Sequence, residues 1–268
     1  MTEGTNTLAD KIASVPWYHT IDLGGGVSTP GEYDHREIVD RVPMPARLDG
    51  LRCLDVGTHD GFWAFEMEKR GAAEVVAIDL EDWRELDWPA PRPEIDDGTQ
   101  EWMIKRQQAF GIAKEALGSN VERKNVSVYD LTPEKVGEFD LAFIGTLLHH
   151  LRDPIGALMA IRRVTKGTLV VAGVISVSET VLHPRKPHAE LYTIDGPFWA
   201  LPNLAGLKRQ IRAGGWEIEE VGKLFFHPFG SNVPKPKLEL SRDKLTSVPR
   251  QLLYRKGIPH VGIRASAR

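Results

Sequence analysis

Asp79, Asp60 and two glycines, Gly57 and Gly61, are the residues whose types and spacing speak most directly of chemistry. The turn Gly57-Thr58-His59-Asp60-Gly61 follows an apolar run, Leu51–Val56, and precedes a helical segment starting at Phe62. A strand, a glycine turn and a helix N-terminus in succession gather backbone N–H groups at one point, which suits a nucleotide-like ligand. Asp79 closes a second apolar run, Ala73–Leu80, about twenty residues after the turn, where a carboxylate can accept from both hydroxyls of a ribose. The turn lacks the third glycine that lets a pyrophosphate approach, and Asp60 would repel a phosphate. A ligand with a ribose and a positive charge, but no phosphate, fits these residues.

Strand and helix signals alternate from residue 51 onward, which predicts an α/β sheet, mostly parallel, with helices on both faces. The expected strands are Leu51–Val56, Glu74–Asp79, Val121–Val128, Phe139–Ile144, Thr168–Val174, Trp216–Phe226 and His260–Ala265. Helices are expected over Phe62–Arg70, Glu101–Leu117, from Pro154 to about Val164, and over Leu204–Ala213. Residues 1–48 form an expected cap over the ligand site and 49–268 the main domain, with a lid at 175–203 and an insertion at 227–258. Ligands of such sheets lie beyond the C-terminal strand ends, where several candidates converge. After strand three come Tyr129, Asp130 and Leu131; the Asp130 carboxylate could accept from the exocyclic amine of adenine or cap the following helix. After strand four comes Gly145-Thr146-Leu147-Leu148-His149-His150. Asp153 and Pro154 read as a helix start.

These motifs resemble those of the class I methyltransferases that use S-adenosylmethionine (SAM), a ligand with a sulfonium, an ammonium and a ribose. Asp55, Gly57 and Gly61 match the first motif of that superfamily, Asp79 its ribose-binding acid, and His150-Leu151-Arg152-Asp153-Pro154 its His-Leu-x-Asp-Pro run. The resemblance implies SAM binding by Thr58, Asp60, Phe62, Leu80, Gly145 and Thr146 as well, release of S-adenosylhomocysteine (SAH), and an antiparallel last strand. A WxH element (Trp17, His19), a TxG element (Thr29 to Gly31), LDVGxxDGFxxFExE and GAxxVxAIDL narrow it further. Over roughly residues 15–220 they resemble the family that includes the bacterial tRNA wobble-uridine methyltransferases of the 5-oxyacetic acid pathway. In that family the N-terminal element lies over the cofactor, which implies that Trp17 and His19 close the SAM pocket.

Methyl transfer is an in-line displacement in which an enzyme supplies proximity and alignment, and an alcohol acceptor also needs a base. His149, His150 and Glu190 are the candidate bases, with His19 another. Tyr192, Trp199 and Asn203, with Phe198 and Asp195 beside them, combine aromatic faces with carboxylates and amides, which suits a carbohydrate or polyol. A Mg²⁺ ion polarising a sugar diol is an open alternative, although no compact ligand cluster demands one.

The chain has 268 residues and a net charge of −3. Residues 228–268 carry nine basic and two acidic side chains, a net +7, which leaves −10 for the rest. A tRNA-binding face must be cationic, and only this C-terminal region could supply one. The leading expectation is therefore O-methylation of a small hydroxylated acceptor such as a sugar or oligosaccharide. A tRNA uridine methyltransferase and a non-catalytic SAM-binding module are the alternatives. The single cysteine, Cys53, excludes a disulfide framework. The start MTEGTNTLAD has no secretory pattern and no apolar run reaches membrane-spanning length, so the cytoplasm is the default location.

Overall fold

The protein is described by a computed structural model covering residues 7–192, 196–234 and 248–268. In chain order the elements are α1 (Leu8–Ala13), β1 (Arg52–Val56), α2 (Phe62–Lys69), β2 (Glu74–Asp79), α3 (Asp97–Leu117), β3 (Glu122–Asn125), α4 (Pro133–Val136), β4 (Phe139–Gly145) and α5 (Pro154–Val164). Then come β5 (Thr165–Val174), α6 (Val177–Leu182), β6 (Ala189–Leu191), β7 (Ala200–Pro202), α7 (Leu204–Ala213), β8 (Trp216–His227), α8 (Val248–Tyr254) and β9 (Ile258–Ala267).

The main sheet has the order β3-β2-β1-β4-β5-β9-β8. Strands β1 to β5 pair in parallel, and β9 runs antiparallel between β5 and β8. This is the mostly parallel sheet with an antiparallel last strand that the sequence predicts. Its central strands β1, β2, β4 and β5 are apolar on both faces because both are covered, whereas the edge strands β3 and β8 are largely polar. Cys53, Leu141, Phe143 and Val170 face a core shared with α2 and α3, whereas Leu54, Val56, Ile144 and Val171 face one shared with α5 and α7.

Local chemistry sets the ends of the elements. Asp96 caps α3 by accepting from Thr99 N at 2.7 Å, so the helix begins four residues before the expected Glu101. Asp153 caps α5 through Gly156 N at 2.8 Å, with Pro154 in the first turn. β3 is shorter than the expected Val121–Val128 because its partner β2 ends at Asp79, which pairs with Asn125. Beyond it, Ser127 turns the chain into a short 3₁₀ segment, Val128–Asp130.

The sheet order reverses between β1 and β4, and the loops leaving those strands diverge around a cleft. The N-terminal segment crosses this end of the sheet. It is stitched to the chain after β8 by Gly230 N donating to Glu32 O at 2.7 Å and Asp34 N donating to Pro228 O at 3.0 Å. Of the basic C-terminal residues, Lys235, Lys237, Arg242 and Lys244 lie outside the described residues.

Candidate active site

The cleft holds one large cavity, walled by the ends of β1, β2 and β4, the N-terminal segment, α3 and the loop at 80–96. At its floor Gly57 has φ +76°, a left-handed backbone that favours glycine, and a Cβ there would press on the Leu147 side chain at 3.0 Å. Gly61 has φ +95°, and a Cβ would overlap the rings of Phe65 and Phe110. That residue lets α2 pack closely and does not border the cavity.

Asp79 stands at the end of β2 with its two oxygens fixed by backbone donors: His59 N to Oδ2 at 2.7 Å and Leu80 N to Oδ1 at 2.8 Å. Burial raises its pKa, against the pull of these N–H groups and of the Arg123 and Arg106 guanidinium groups. A carboxylate held this way keeps free lone pairs toward the cavity it borders. His59 reaches its place through a left-handed backbone, φ +52°, and its ring stacks on Tyr18 at 4.4 Å between centroids.

Asp60 borders the cavity and also holds the N-terminal segment. Its Oδ2 accepts from the backbone N–H groups of Tyr18 and His19, each at 2.8 Å, and its Oδ1 pairs with His19 Nδ1. Burial alone would raise its pKa, but the His19 imidazole and N–H groups hold it below the usual carboxylate range. Asp60 therefore clamps the N-terminal segment onto the glycine turn. That clamp brings Tyr18, His19 and His35 to the cavity wall.

Gly145 and Thr146 border the cavity beside Trp63 and Phe143. Thr146 is left-handed at φ +56°, and its hydroxyl meets His260 Nε2 at 3.0 Å. His260 Nδ1 faces the carbonyl of Ile258 at 2.8 Å, so Nδ1 carries the proton and the Thr146 hydroxyl donates to Nε2. His260 stacks on His227 at 3.5 Å, and His227 Nδ1 meets His35 Nε2 at 3.1 Å. Burial lowers the pKa of His35 and His227 well below the usual value, and that of His260 to about 4.

Of the candidate bases, His150 and His19 border the cavity, and the Nδ1 of His19 is already paired with Asp60. The Nδ1 of His150 faces the Pro197 carbonyl at 2.7 Å, and a carbonyl only accepts, so Nδ1 carries the proton and Nε2 is left with its lone pair. Burial lowers its pKa, which keeps the ring neutral. His149 packs against His150, Tyr192 and Phe198 outside the cavity wall. Glu190 is exposed on β6 and does not reach the cavity.

Other candidates are placed elsewhere for clear reasons. Trp17 is in the core, its indole N–H donating to Ile12 O at 2.9 Å. Asp130 points to solvent near Lys135, at 3.5 Å, because the 3₁₀ turn rotates it off the strand line; Ser127, Val128 and Tyr129 border the cavity in its place. Leu131 and Phe62 belong to the cores, and Thr58 and Asp55 are buried beneath the turn, where burial pushes the Asp55 carboxyl up to about 7. Asn203 is fully buried and caps α7 through Gly206 N at 2.7 Å. Its amide also bonds the carbonyls of His183 and Lys186 at 2.9 and 3.0 Å, so it fastens the lid rather than facing an acceptor. Trp199 donates its indole N–H to Asp87 O at 2.8 Å, and neither Trp199 nor Tyr192 borders the cavity. Asp195 lies outside the described residues.

Sequence reasoning overlooked Tyr18, His35, His59, Arg106 and Asp87, which do border it. Tyr18 and His59 flank residues already singled out, Trp17, His19 and Asp60, and that adjacency was the available signal. Among the described residues no group of three or more His, Cys, Asp or Glu side chains is placed to hold a metal ion, so nothing here supports the Mg²⁺ alternative. No helix among them is long and apolar enough to cross a membrane.

A sheet of this order, with a ribose-ready acid after β2 and a glycine turn after β1, defines a class I SAM-dependent methyltransferase. Residues 31–221 match the family described as a methyltransferase domain, and the chain belongs to that family. It is 30% identical over 209 residues to a tRNA U34 carboxymethyltransferase of Pseudomonas paraeruginosa, covering 75% of this chain and 56% of that one. A protein of the same description from Helicobacter pylori is 24% identical over 220 residues, covering 80% and 75%. The chain spans only a little over half the length of the Pseudomonas relatives. Among solved structures, the N-terminal domain of EvdMO1, determined with SAH and D-fucose, shares the fold with a TM-score of 0.54 at 14% identity, covering 100% of this chain and 98% of that one.

Proposed function

We propose that this chain transfers a methyl group from SAM to a hydroxyl of a small acceptor of the sugar or polyol class, with His150 as general base. The observation that carries the reading is the Asp79 carboxylate, oriented by two backbone N–H groups and open to the cavity on its remaining lone pairs. Such a group accepts from a vicinal diol without reorganising. Leu80 and Ser127 to Tyr129 form the adenine side, and Gly57, Gly145 and Thr146 the methionine side. Bound there, SAM supplies a methyl group on a sulfonium sulfur. Residues 1–48 act as the cap, from which Tyr18, His19 and His35 exclude water.

His150 Nε2 takes the proton of the acceptor hydroxyl, while the Pro197 carbonyl fixes the tautomer and the ring orientation. Of the lid, Pro197 borders the cavity beside this histidine, and Phe198 packs behind it against the His150 ring. Calorimetry with SAH tests the donor half. Wild type binds, and Asp79→Ala weakens binding about 100-fold, the loss of two hydrogen bonds to a charged acceptor. A wild-type protein that does not bind SAH overturns the reading. Mass spectrometry of products after SAM is offered with pools of saccharides and polyols identifies the acceptor.

The name of the relatives favours a second reading, modification of a tRNA uridine. It requires tRNA binding that weakens steeply as salt rises, and a flat salt response rejects it.

A further inference from the structure

Asp87 is the one residue of the 80–96 loop at which three other segments meet. Its Oδ2 accepts from Tyr129 Oη at 2.6 Å and from Arg152 N at 2.9 Å. Its carbonyl accepts the indole N–H of Trp199, from the lid, at 2.8 Å. Tyr129 Oη in turn accepts from Asp153 N at 3.1 Å, so the loop after β4 is drawn into the same knot. The lid is tied on from the other side as well, by Trp199 N donating to His149 O at 2.9 Å and by His150 Nδ1 donating to Pro197 O. Asp87 itself borders the cavity, with Trp83, Glu85 and Leu86 of the same loop and Tyr129 opposite.

The start of this loop is anchored near the ribose acid, where Glu81 N donates to Asn125 Oδ1 at 3.1 Å and Glu81 O accepts from the Gln107 amide. Asp87 is thus the far anchor of a strap that crosses the adenine side of the cavity. The fastening contact of the strap, Asp87 to Trp199, is at the same time a fastening contact of the lid over the acceptor side.

We propose that Asp87 is a positioning residue that closes the 80–96 strap over the adenosine part of the donor and, through Trp199, passes that closure to the lid at 196–203. Donor binding orders the strap, the ordered strap presents the Asp87 carbonyl, and the Trp199 indole docks on it. The lid that receives the acceptor is then already seated. Two segments ordered by one knot share the entropic cost of ordering, so donor and acceptor bind with positive cooperativity. The proposal rests on the reading of this cavity as a SAM site.

Hydrogen exchange with SAH as the probe tests it. In wild type, SAH slows exchange in peptides from both 80–96 and 196–203. In Trp199→Phe, which keeps an aromatic ring and loses the N–H, SAH still protects 80–96 but no longer protects 196–203. Asp87→Ala weakens SAH about tenfold. Asp87→Asn retains an oxygen acceptor for Tyr129 and Arg152 and restores affinity to within about threefold of wild type. Melting curves of the three variants confirm that each is folded. Protection confined to 80–96 in wild type, or protection of 196–203 that survives Trp199→Phe, overturns the coupling. Absence of SAH binding to wild type instead overturns the assignment of the cavity.

Discussion

His150 illustrates how one neighbouring atom decides the role of a side chain. The Pro197 carbonyl cannot donate, so it fixes the proton on Nδ1 and leaves Nε2 as an acceptor at the cavity wall. His149, adjacent in sequence and tilted against it with 4.0 Å between ring centroids, does not border the cavity. Under the proposed mechanism, His150→Gln lowers methyl-transfer turnover by about 10²- to 10⁴-fold while SAH affinity stays within about threefold of wild type. His149→Gln changes turnover far less. Single-turnover rates and SAH calorimetry on both variants check the contrast. Asp60 makes a related point: an acid at the cavity wall also fastens a neighbouring segment when two buried N–H groups and an imidazole meet it.

At the scale of elements, one amide gathers the two ends of the lid. Asn203 accepts from Gly206 N and His188 N, and donates to the carbonyls of His183 and Lys186. Asn203→Ala removes the cap of α7 and strands several buried polar groups at once. The expected cost is about 2–4 kcal/mol, read as a lowered melting temperature and faster proteolysis within 177–203. Asn203→Asp, which keeps the capping oxygen and loses the amide donor, recovers the helix cap but not the lid contacts. A melting temperature for Asn203→Ala equal to wild type contradicts this account of the lid. The element boundaries were mostly legible beforehand, because apolar periodicity, Asp153-Pro154 and Gly118 mark them. β3 was not, because its length is set by where β2 stops, and Val121–Val128 continues to read as a strand past that point.

The whole molecule carries a pH dependence of defined sign. His35, His227 and His260 are buried neutral, with pKa values lowered by burial, that of His260 to about 4. The unfolded chain binds protons on these groups at about pH 6.5, before the folded chain does. Their contribution is therefore fully present above about pH 6.5 and falls as pH drops from there toward 4. The loss from His260 alone is about 3 kcal/mol. Asp55, pushed up to about 7, acts oppositely, since its folded form holds a proton that the unfolded form releases above about 3.8. Asp79, also raised by burial, acts like Asp55, but His59, His149 and His150 are lowered by burial as well, so six histidines outweigh two carboxyls and the midpoint of urea unfolding falls between pH 6.5 and 4.5. His227→Phe flattens that fall; a midpoint that does not change over this range contradicts the buried neutral cluster.

The sequence by itself determined the donor half of the protein. Gly57, Gly61, Asp79 and the alternating apolar runs are local features, each decided by neighbours a few residues away, so the fold class and the SAM-type motifs could be read directly. Only the tertiary structure decided which polar groups face the cavity. Asp130 turned to solvent, Trp17 and Asn203 to structural hydrogen bonds, while His35, Asp87 and Arg106 arrived at the wall from distant segments. The orientation of a polar side chain depends on which partners satisfy it, and those partners are set by chain crossings tens or hundreds of residues apart.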